Sequence, residues 1–231
     1  MALLACAALV VFSMPRVGTA GTPIRVFVFA TTEIRPHALE REIAATLPGI
    51  QVRVFGRARE LEAAVGQEAP EAVLARPVVL ETLGRTPSLK GMNNGKSGEP
   101  YVLVSIKRAL KPSELGDQPV GAVDLVGRRE MKAFVSSVLG VPAPRLKLVT
   151  TEHDLLPLLQ FGEAVAVLMP ARWVGVLRNK SNLDLQVTGL SNTVELPALW
   201  SSSDLVRAAV EPKVKAWRPQ LNARLGVDEW K

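Results

Sequence analysis

Polar residues suited to binding an anion stand directly after two apolar runs of the sequence. Thr31 and Thr32 follow the first run, and Gly127 and Arg128 follow the second, each time just before a segment with helical periodicity. Threonine hydroxyls, the free N–H groups of a helix start and a guanidinium all donate hydrogen bonds to phosphate or carboxylate oxygens. Gly127 also allows the backbone to approach a ligand closely. These residues predict an anion-binding site.

Each of these residues also has a structural explanation, which the sequence leaves open. The two threonines can act as helix N-caps, and Arg128 can form a solvent-exposed pair with Arg129. An arginine at a helix start is mildly unfavourable beside the positive end of the helix dipole, and a bound anion offsets that cost. For this reason we favour Arg128 over the other arginines of the chain.

Three further residues end predicted strands in the same manner. Arg76 closes the third predicted strand, and Thr150 and Thr151 close the sixth. They are candidates because ligands of open α/β sheets bind at the carboxyl ends of the strands. Thr151 and Asp154 are alternative caps of the helix that follows. Asp154 fits better, because Pro157 then lies in the first turn.

Residues suited to catalysis or metal binding are scarce. The chain has one cysteine, Cys6, and two histidines, His37 and His153, which we interpret as solvent-exposed residues at helix starts. No nucleophile elbow, phosphate loop, metal-ligand spacing or dinucleotide fingerprint occurs. We therefore predict a binding protein and not an enzyme, with no catalytic residue, cofactor or metal.

The composition favours a large aliphatic core. Of the 231 residues, 48% are hydrophobic but only 5% are aromatic. Val, Leu, Ile and Ala must fill the core, as they do in parallel strands covered by helices on both faces. The formal charge of +6 comes from basic residues scattered along the chain, which argues against a nucleic-acid-binding arm. The charge fits anionic ligands or membrane surfaces, and a generally basic soluble monomer explains it equally well.

Strand-like and helix-like segments alternate along the chain with short connections. The first block predicts strands at residues 24–30, 51–55, 71–75 and 101–106, helices at 36–47, 57–66 and 77–84, and a polar loop at 85–99. The second block predicts strands at residues 120–126, 146–150, 163–169, 183–187 and 196–199, with helices at 128–139, from 154 onward, at 170–178 and at 203–225, the last broken by Pro212 and Pro219.

This alternation is typical of doubly wound sheets with right-handed crossovers. The predicted fold is α/β, with two doubly wound lobes and a cleft between them. Residues 21–106 and 188–231 are assigned to lobe 1, and residues 107–187 are assigned to lobe 2.

The N-terminal segment reads as an export signal. An apolar run without charge is followed by the small residues Gly18, Thr19 and Ala20, and the run is too short to span a bilayer. Residues 1–20 are predicted to be a signal peptide that is cleaved after Ala20, which places the protein in the periplasm. The alternatives are a lipid anchor at Cys6, an uncleaved anchor and a misplaced start codon.

Five segments together resemble a known family. In chain order they read IRVFVFA followed by TT, EAVLARP, YVLVSIK, GAVDLVGRREMKAFVSSVLG and LLPLLQFGEAVAVLMPA. Their order and spacing resemble type 2 periplasmic (solute-)binding proteins, above all the phosphate, phosphite and phosphonate substrate-binding group of ABC transporters. The resemblance covers most of residues 24–190. Val165 stands where that family often has an acidic residue.

The resemblance implies an exported protein that captures a small anionic, phosphate- or phosphonate-like ligand between two lobes. Its partner is then an ABC permease, or a membrane sensor. The alternative is a sensor or accessory subunit that has this fold but acts through protein contacts. The short chain and the replaced acidic position favour that alternative, and the fold by itself decides neither the ligand nor the role.

Overall fold

The structure is a computed structural model and describes residues 23–231. The predicted signal peptide, residues 1–20, lies outside the described residues. The described chain forms two mixed sheets with helices packed on both faces, so the predicted two-lobed α/β fold is confirmed.

Lobe 1 is built on a six-stranded sheet with the strand order β11-β4-β10-β3-β1-β2. The three strands β2, β1 and β3 are parallel, and β10 pairs antiparallel to β3. The strands are β1 (Arg25–Phe29), β2 (Gln51–Phe55), β3 (Ala72–Ala75), β4 (Leu89–Met92), β10 (Ala198–Ser201) and β11 (Glu229–Trp230). The helices of this lobe are α1 (Pro36–Ala44), α2 (Ala58–Glu68), α3 (Pro77–Thr82), α7 (Asp204–Lys215) and α8 (Pro219–Arg224).

Lobe 2 repeats this arrangement with five strands in the order β7-β6-β8-β5-β9. Here β7, β6 and β8 are parallel, and β5 pairs antiparallel to β8. The strands are β5 (Gly98–Ile106), β6 (Pro119–Val123), β7 (Arg145–Val149), β8 (Ala166–Pro170) and β9 (Leu185–Glu195). The helices are α4 (Arg128–Leu139), α5 (Leu155–Gln160) and α6 (Val174–Asn179), with 3-10 turns at Pro112–Glu114, Glu152–Asp154 and Ala171–Trp173.

Two long strands connect the lobes. β5 leads from lobe 1 into the sheet of lobe 2, and β9 leads back, antiparallel to β5 from the Gly98–Glu195 pair to the Ile106–Leu185 pair. The register shifts between Pro100 and Val102. The lobe limits given above for the sequence remain a prediction.

The apolar runs of the sequence form strands that are buried on both faces. In β1, Phe27 and Phe29 contact one hydrophobic cluster, whereas Val26 and Val28 contact another. Successive side chains of a strand point to opposite faces, so this alternation places an apolar layer on each side of the sheet. Helices must cover both faces, which is the doubly wound arrangement.

Two predictions for the irregular segments were wrong. The region predicted as a polar loop, residues 85–99, contains β4 and the start of β5. β4 is held by pairing with β10 and β11, whose residues lie far away in sequence, so local periodicity gives no sign of it. β9 extends to Glu195, eight residues beyond its predicted end at 187, because β5 pairs with its polar second half.

The break that the sequence predicts at Pro212 does not occur. Pro212 lies inside α7, where Val210 and Val214 on either side are buried in the hydrophobic cluster that covers one face of the lobe 1 sheet. Packing of this face outweighs the one backbone hydrogen bond that proline cannot donate. The helix does end before Pro219, which begins α8 as predicted for a proline in a first helical turn. Among the described residues, no helix is both long and apolar enough to cross a membrane.

We expect Gly121→Ala to destabilise the protein, because Gly121 of β6 lies against α5. A Cβ at this position lies 2.7 Å from Leu158 Cδ1 and 2.9 Å from Val167 Cγ1. Overpacking of this kind costs about 1–3 kcal/mol. The free energy of unfolding in urea measures the effect.

Gly66→Ala is the matched control for that substitution. Gly66 lies in α2, and no atom lies within 4 Å of a Cβ at this position. We expect this alanine to stabilise the protein by about 0.5–1 kcal/mol. Equal effects of the two alanines would contradict the tight contact between α5 and β6.

Candidate interlobe binding site

The carboxyl ends of the parallel strands of both lobes face one another. At the inner end of this cleft, next to the crossing strands, five side chains form what we call the inner polar cluster: Thr31, Arg76, Glu99, Glu152 and Arg172. Thr31 follows β1, and Arg76 follows β3. Glu99 lies on β5, while Glu152 and Arg172 lie in the 3-10 turns after β7 and β8. The cluster therefore joins both lobes and one crossing strand.

Arg76 and Glu99 form a buried ion pair. Their residues are only 8% and 7% exposed, and the guanidinium of Arg76 donates one hydrogen bond to Glu99 and another to the carbonyl oxygen of Glu195, at 2.7 Å. Arg172 donates to the other carboxylate oxygen of Glu99. A buried arginine needs such partners because desolvation of an unpaired charge is costly. The N–H donors of Arg76 thus bind mainly to residues of the two crossing strands, Glu99 on β5 and Glu195 on β9.

Glu152 reaches across the cleft from lobe 2. It is 3% exposed, and its Oε1 accepts a hydrogen bond from Thr31 Oγ1 at 3.0 Å. Its Oε2 has no hydrogen-bond partner within residues 23–231. Burial raises the pKa of Glu152, although its own backbone N–H, the hydrogen bond from Thr31 and the charges of Arg172 and Arg76 act in the opposite direction. Glu152 is therefore a buried carboxyl group that is only half satisfied.

A second contact closes the cleft beside Glu152. His153 Nε2 lies 3.2 Å from Glu33 Oε1 in the opposite lobe, and the ring of His153 packs edge-to-face on Trp173. His153 does lie at a helix start, as predicted, but its side chain is only 27% exposed because of these contacts. The residue lies in the 3-10 turn that precedes α5 and points across the cleft. His37 is exposed in the first turn of α1, as predicted.

At its outer end the cleft widens into a groove of about 1150 Å³. Lobe 1 contributes the start of α2 and one side of α3, and lobe 2 contributes the start of α4 and the end of β7. Both helix starts lack a side-chain cap. Arg57 occupies the N-cap position of α2, and Gly127, with φ 83°, occupies that of α4. The first N–H groups of a helix have no partner within the helix, so two sets of donors open onto one groove.

The charged side chains along this outer groove balance one another. Its four arginines are Arg57, Arg59, Arg128 and Arg129, and its four acidic residues are Glu62, Glu81, Asp124 and Glu130. Arg129 pairs with Glu130, and the carboxylate of Asp124 accepts a hydrogen bond from the Gly127 N–H at 2.7 Å. Arg128 is exposed and forms no ion pair in the described part of the chain. Arg59 is likewise exposed and forms no ion pair within residues 23–231, so the helix-start amides, Arg59 and Arg128 are the donors that remain for a ligand.

The structure divides the predicted site residues between the two ends of the cleft. Thr31, Thr32 and Arg76 line a cavity of about 20 Å³ at the inner end, which has room for little more than one water molecule. Thr32 Oγ1 donates to the carbonyl oxygen of Ile34, and the backbone N–H groups of α1 receive no side-chain cap. Binding of ligand by these three residues remains a prediction.

The other predicted residues lie toward the outer groove. Gly127, Arg128 and Thr150 line the groove itself. Thr151 lines neither cavity, because it caps the 3-10 turn and its Oγ1 donates to Asp154 Oδ2 at 2.9 Å. Asp154 occupies the N-cap position of α5, as predicted, but its carboxylate accepts hydrogen bonds from Thr151 and caps no N–H group of α5. A ligand role for these four residues also remains a prediction.

Three members of the inner polar cluster escaped the sequence analysis. Glu99 lies in the segment predicted as a loop, Arg172 lies in a predicted helix, and Glu152 lies next to the candidate Thr151. Charged residues are expected to be solvent-exposed unless an oppositely charged or hydrogen-bonding partner is buried with them. Here those partners are distant in sequence, so the sequence gives no sign of the burial. Within residues 23–231, no group of three or more potential His, Cys, Asp or Glu ligands is placed to hold a metal ion.

Comparison with solved structures shows the same bilobed fold. XAC2383 from Xanthomonas citri, bound to chloride ion, has a TM-score of 0.66 and 10% identity over 91% of each chain. PhnD1 from Prochlorococcus marinus, in complex with methylphosphonate, has a TM-score of 0.65 and 11% identity over 91% of this chain and 93% of that one. The periplasmic VFT2 domain of Bordetella pertussis BvgS has a TM-score of 0.55 and 12% identity over 88% and 92%.

These likenesses establish the fold of the chain as that of type 2 periplasmic binding proteins. No protein-family model matches the sequence, and no curated protein matches it either. The structural relatives are too distant in sequence to assign a ligand.

The single tyrosine of the chain reports on the inner end of the cleft. Tyr101 of β5 is buried beside Arg76, and burial raises its pKa to about 12. In a titration followed by phenolate absorbance, we expect a midpoint near 12 for the folded protein and about 10 in urea. Because the folded pKa is the higher one, this group's contribution to stability is complete below pH 10 and is lost as the pH rises toward 12. A folded-state midpoint of about 10 would contradict a buried Tyr101.

Proposed function

We propose that the chain is an exported solute receptor that holds a small anionic, phosphate- or phosphonate-like ligand between its lobes and delivers it to an ABC permease. The observation that carries this proposal is the outer groove, onto which the uncapped starts of α2 and α4 open from opposite lobes. The export signal at residues 1–20 and a periplasmic location belong to the same proposal, which includes no catalytic step.

The donors of the groove suit an oxyanion better than a cation. Two helix starts present N–H groups, and the absence of a side chain at Gly127 leaves the backbone of α4 accessible. Arg128 adds a guanidinium that can bind two oxygens at once. The four acidic residues of the groove balance the charge of its four arginines. Selectivity for an anion must therefore come from the positions of the hydrogen-bond donors.

Closure of the lobes supplies the remaining contacts. A groove of about 1150 Å³ is larger than a small oxyanion needs, so the two helix starts must approach one another to bind the same ligand. The crossing strands β5 and β9 allow such a hinge motion, and a ligand that contacts both lobes favours the closed form. Two of the similar structures contain an anion, chloride or methylphosphonate, which supports an anionic ligand.

A thermal-shift panel of phosphate, methylphosphonate, sulfate and small carboxylates tests this proposal. A ligand at one hundred times its Kd stabilises the folded state by about 2.7 kcal/mol. For a chain of this length, that corresponds to a rise in Tm of roughly 5–10 °C. A flat response across the panel would contradict capture of an oxyanion.

Arg128→Ala locates the binding site, with Arg218→Ala as its matched control. Both arginines are exposed, and Arg218 lies outside the groove, so the two variants lose the same charge at different places. We expect Arg128→Ala to weaken binding of the best panel ligand roughly 10- to 100-fold, because a hydrogen bond to a charged group is lost. Isothermal titration calorimetry gives the two Kd values. Equal losses in both variants would indicate a nonspecific effect of charge.

A second candidate function is a sensor or accessory subunit that acts through protein contacts. The observation that favours it is the inner end of the cleft, where the chain's own side chains leave only about 20 Å³. Neighbouring genes discriminate between the two functions. A permease and an ATPase favour transport, whereas a membrane kinase favours sensing.

A further inference from the structure

Glu152 lies where the strand ends of the two lobes meet. It is the third residue after the carboxyl end of β7, and its carboxylate accepts a hydrogen bond from the hydroxyl of Thr31, which follows the carboxyl end of β1 in the other lobe. Ligands of α/β sheets bind outside these strand ends. The carboxylate is covalently part of lobe 2, yet it hydrogen-bonds to lobe 1.

The two positive charges of the inner polar cluster are balanced only if a second carboxylate accompanies Glu99. Arg76 and Arg172 bring two guanidinium groups, and both donate to Glu99. Glu99 supplies one negative charge, so the cluster needs one further anion to be neutral. Glu152 is the remaining carboxyl group of the cluster, and the charges of Arg172 and Arg76 lower its pKa against the effect of burial.

The hydrogen bonding of Glu152 resembles that of a replaceable ligand and differs from that of Glu99. Both oxygens of Glu99 accept from arginine, whereas Glu152 has one hydrogen bond from a threonine and one oxygen without a partner in residues 23–231. A fold that needed a permanent anion here would be expected to satisfy both oxygens.

We propose that Glu152 is a tethered internal ligand, whose carboxylate fills an anion subsite formed by Thr31, Arg76 and Arg172 at the inner end of the cleft. The subsite itself has the chemistry to bind a free monocarboxylate. In the native chain Glu152 excludes such an anion and holds the lobes together without a solute. Free ligands are thereby confined to the outer groove.

Chemical rescue by acetate tests this proposal. In Glu152→Ala the retained Cβ leaves space for the last two carbons and both oxygens of the lost side chain, which is the shape of acetate. With a Kd of about 10 mM, 100 mM sodium acetate is expected to raise the Tm of this variant by roughly 3–6 °C relative to sodium chloride of equal ionic strength. No such rise is expected for the native chain.

Two further variants complete the acetate experiment. Glu163→Ala removes an exposed carboxylate of lobe 2, and its Tm should not respond to acetate. In the double variant of Glu152→Ala with Thr31→Val, the hydroxyl donor is absent and the response should be lost. A Glu152→Ala variant without a Tm rise in acetate, or equal rises in the native chain and Glu163→Ala, would overturn the proposal.

Thr31→Val alone keeps the proposal testable if Glu152→Ala does not fold even in acetate. Valine has the shape of threonine but cannot donate to Glu152. Loss of this interlobe hydrogen bond should accelerate amide exchange in residues 30–35 about tenfold, as measured by hydrogen–deuterium exchange. Unchanged exchange in this variant would show that the carboxylate does not hold the lobes together.

Failure here is distinguishable from failure of the transport proposal. The acetate experiment uses variants of the inner polar cluster, whereas the anion panel and Arg128→Ala concern the outer groove. A native protein that binds phosphate although Glu152→Ala ignores acetate would refute the internal ligand alone.

Discussion

The buried ion pair between Arg76 and Glu99 joins three parts of the chain at one point. Arg76 follows β3 of lobe 1, Glu99 lies near the start of β5, and the carbonyl oxygen of Glu195 at the end of β9 accepts from the same guanidinium. Removing one member of such a pair leaves the other charge buried and typically costs about 3–5 kcal/mol. Both crossing strands are therefore anchored to lobe 1, and the positions of the lobes depend on this anchor.

The anchor divides the cleft into two ends with different properties. Near the crossing strands, Arg76 and Arg172 share Glu99, and buried side chains fill the space between the sheets. Farther out, at the starts of α2 and α4, no comparable pair among residues 23–231 spans the lobes, and the groove stays wide. In the proposed receptor the inner end is filled by the chain's own charged side chains, so the outer end is the place left for a solute. This division explains why the predicted anion-binding residues lie in two places.

Features encoded locally were predictable from the sequence, and those that depend on distant partners were not. The apolar run that forms β1 and the helical periodicity of residues 128–139 gave the correct elements, because burial on one or both faces leaves a local pattern. β4 and the second half of β9 exist through pairing with distant strands and have no such pattern. Likewise, the sequence placed Thr31 and Arg76 at strand ends but gave no indication that Glu99 and Glu152 are buried there.

The crossing strands can bend at one position without breaking the anchor. The register between β5 and β9 shifts between Pro100 and Val102, directly after Glu99, and Pro100 lacks an N–H group for the ladder. A bend at this position breaks fewer backbone hydrogen bonds than a bend elsewhere in the ladder. Lobe 1 then keeps Arg76 and Glu99 together, while lobe 2 carries Glu152 away from Thr31 and Arg172 away from Glu99. The hydrogen bond between Glu152 and Thr31 must therefore break when the lobes move apart, so it resists opening.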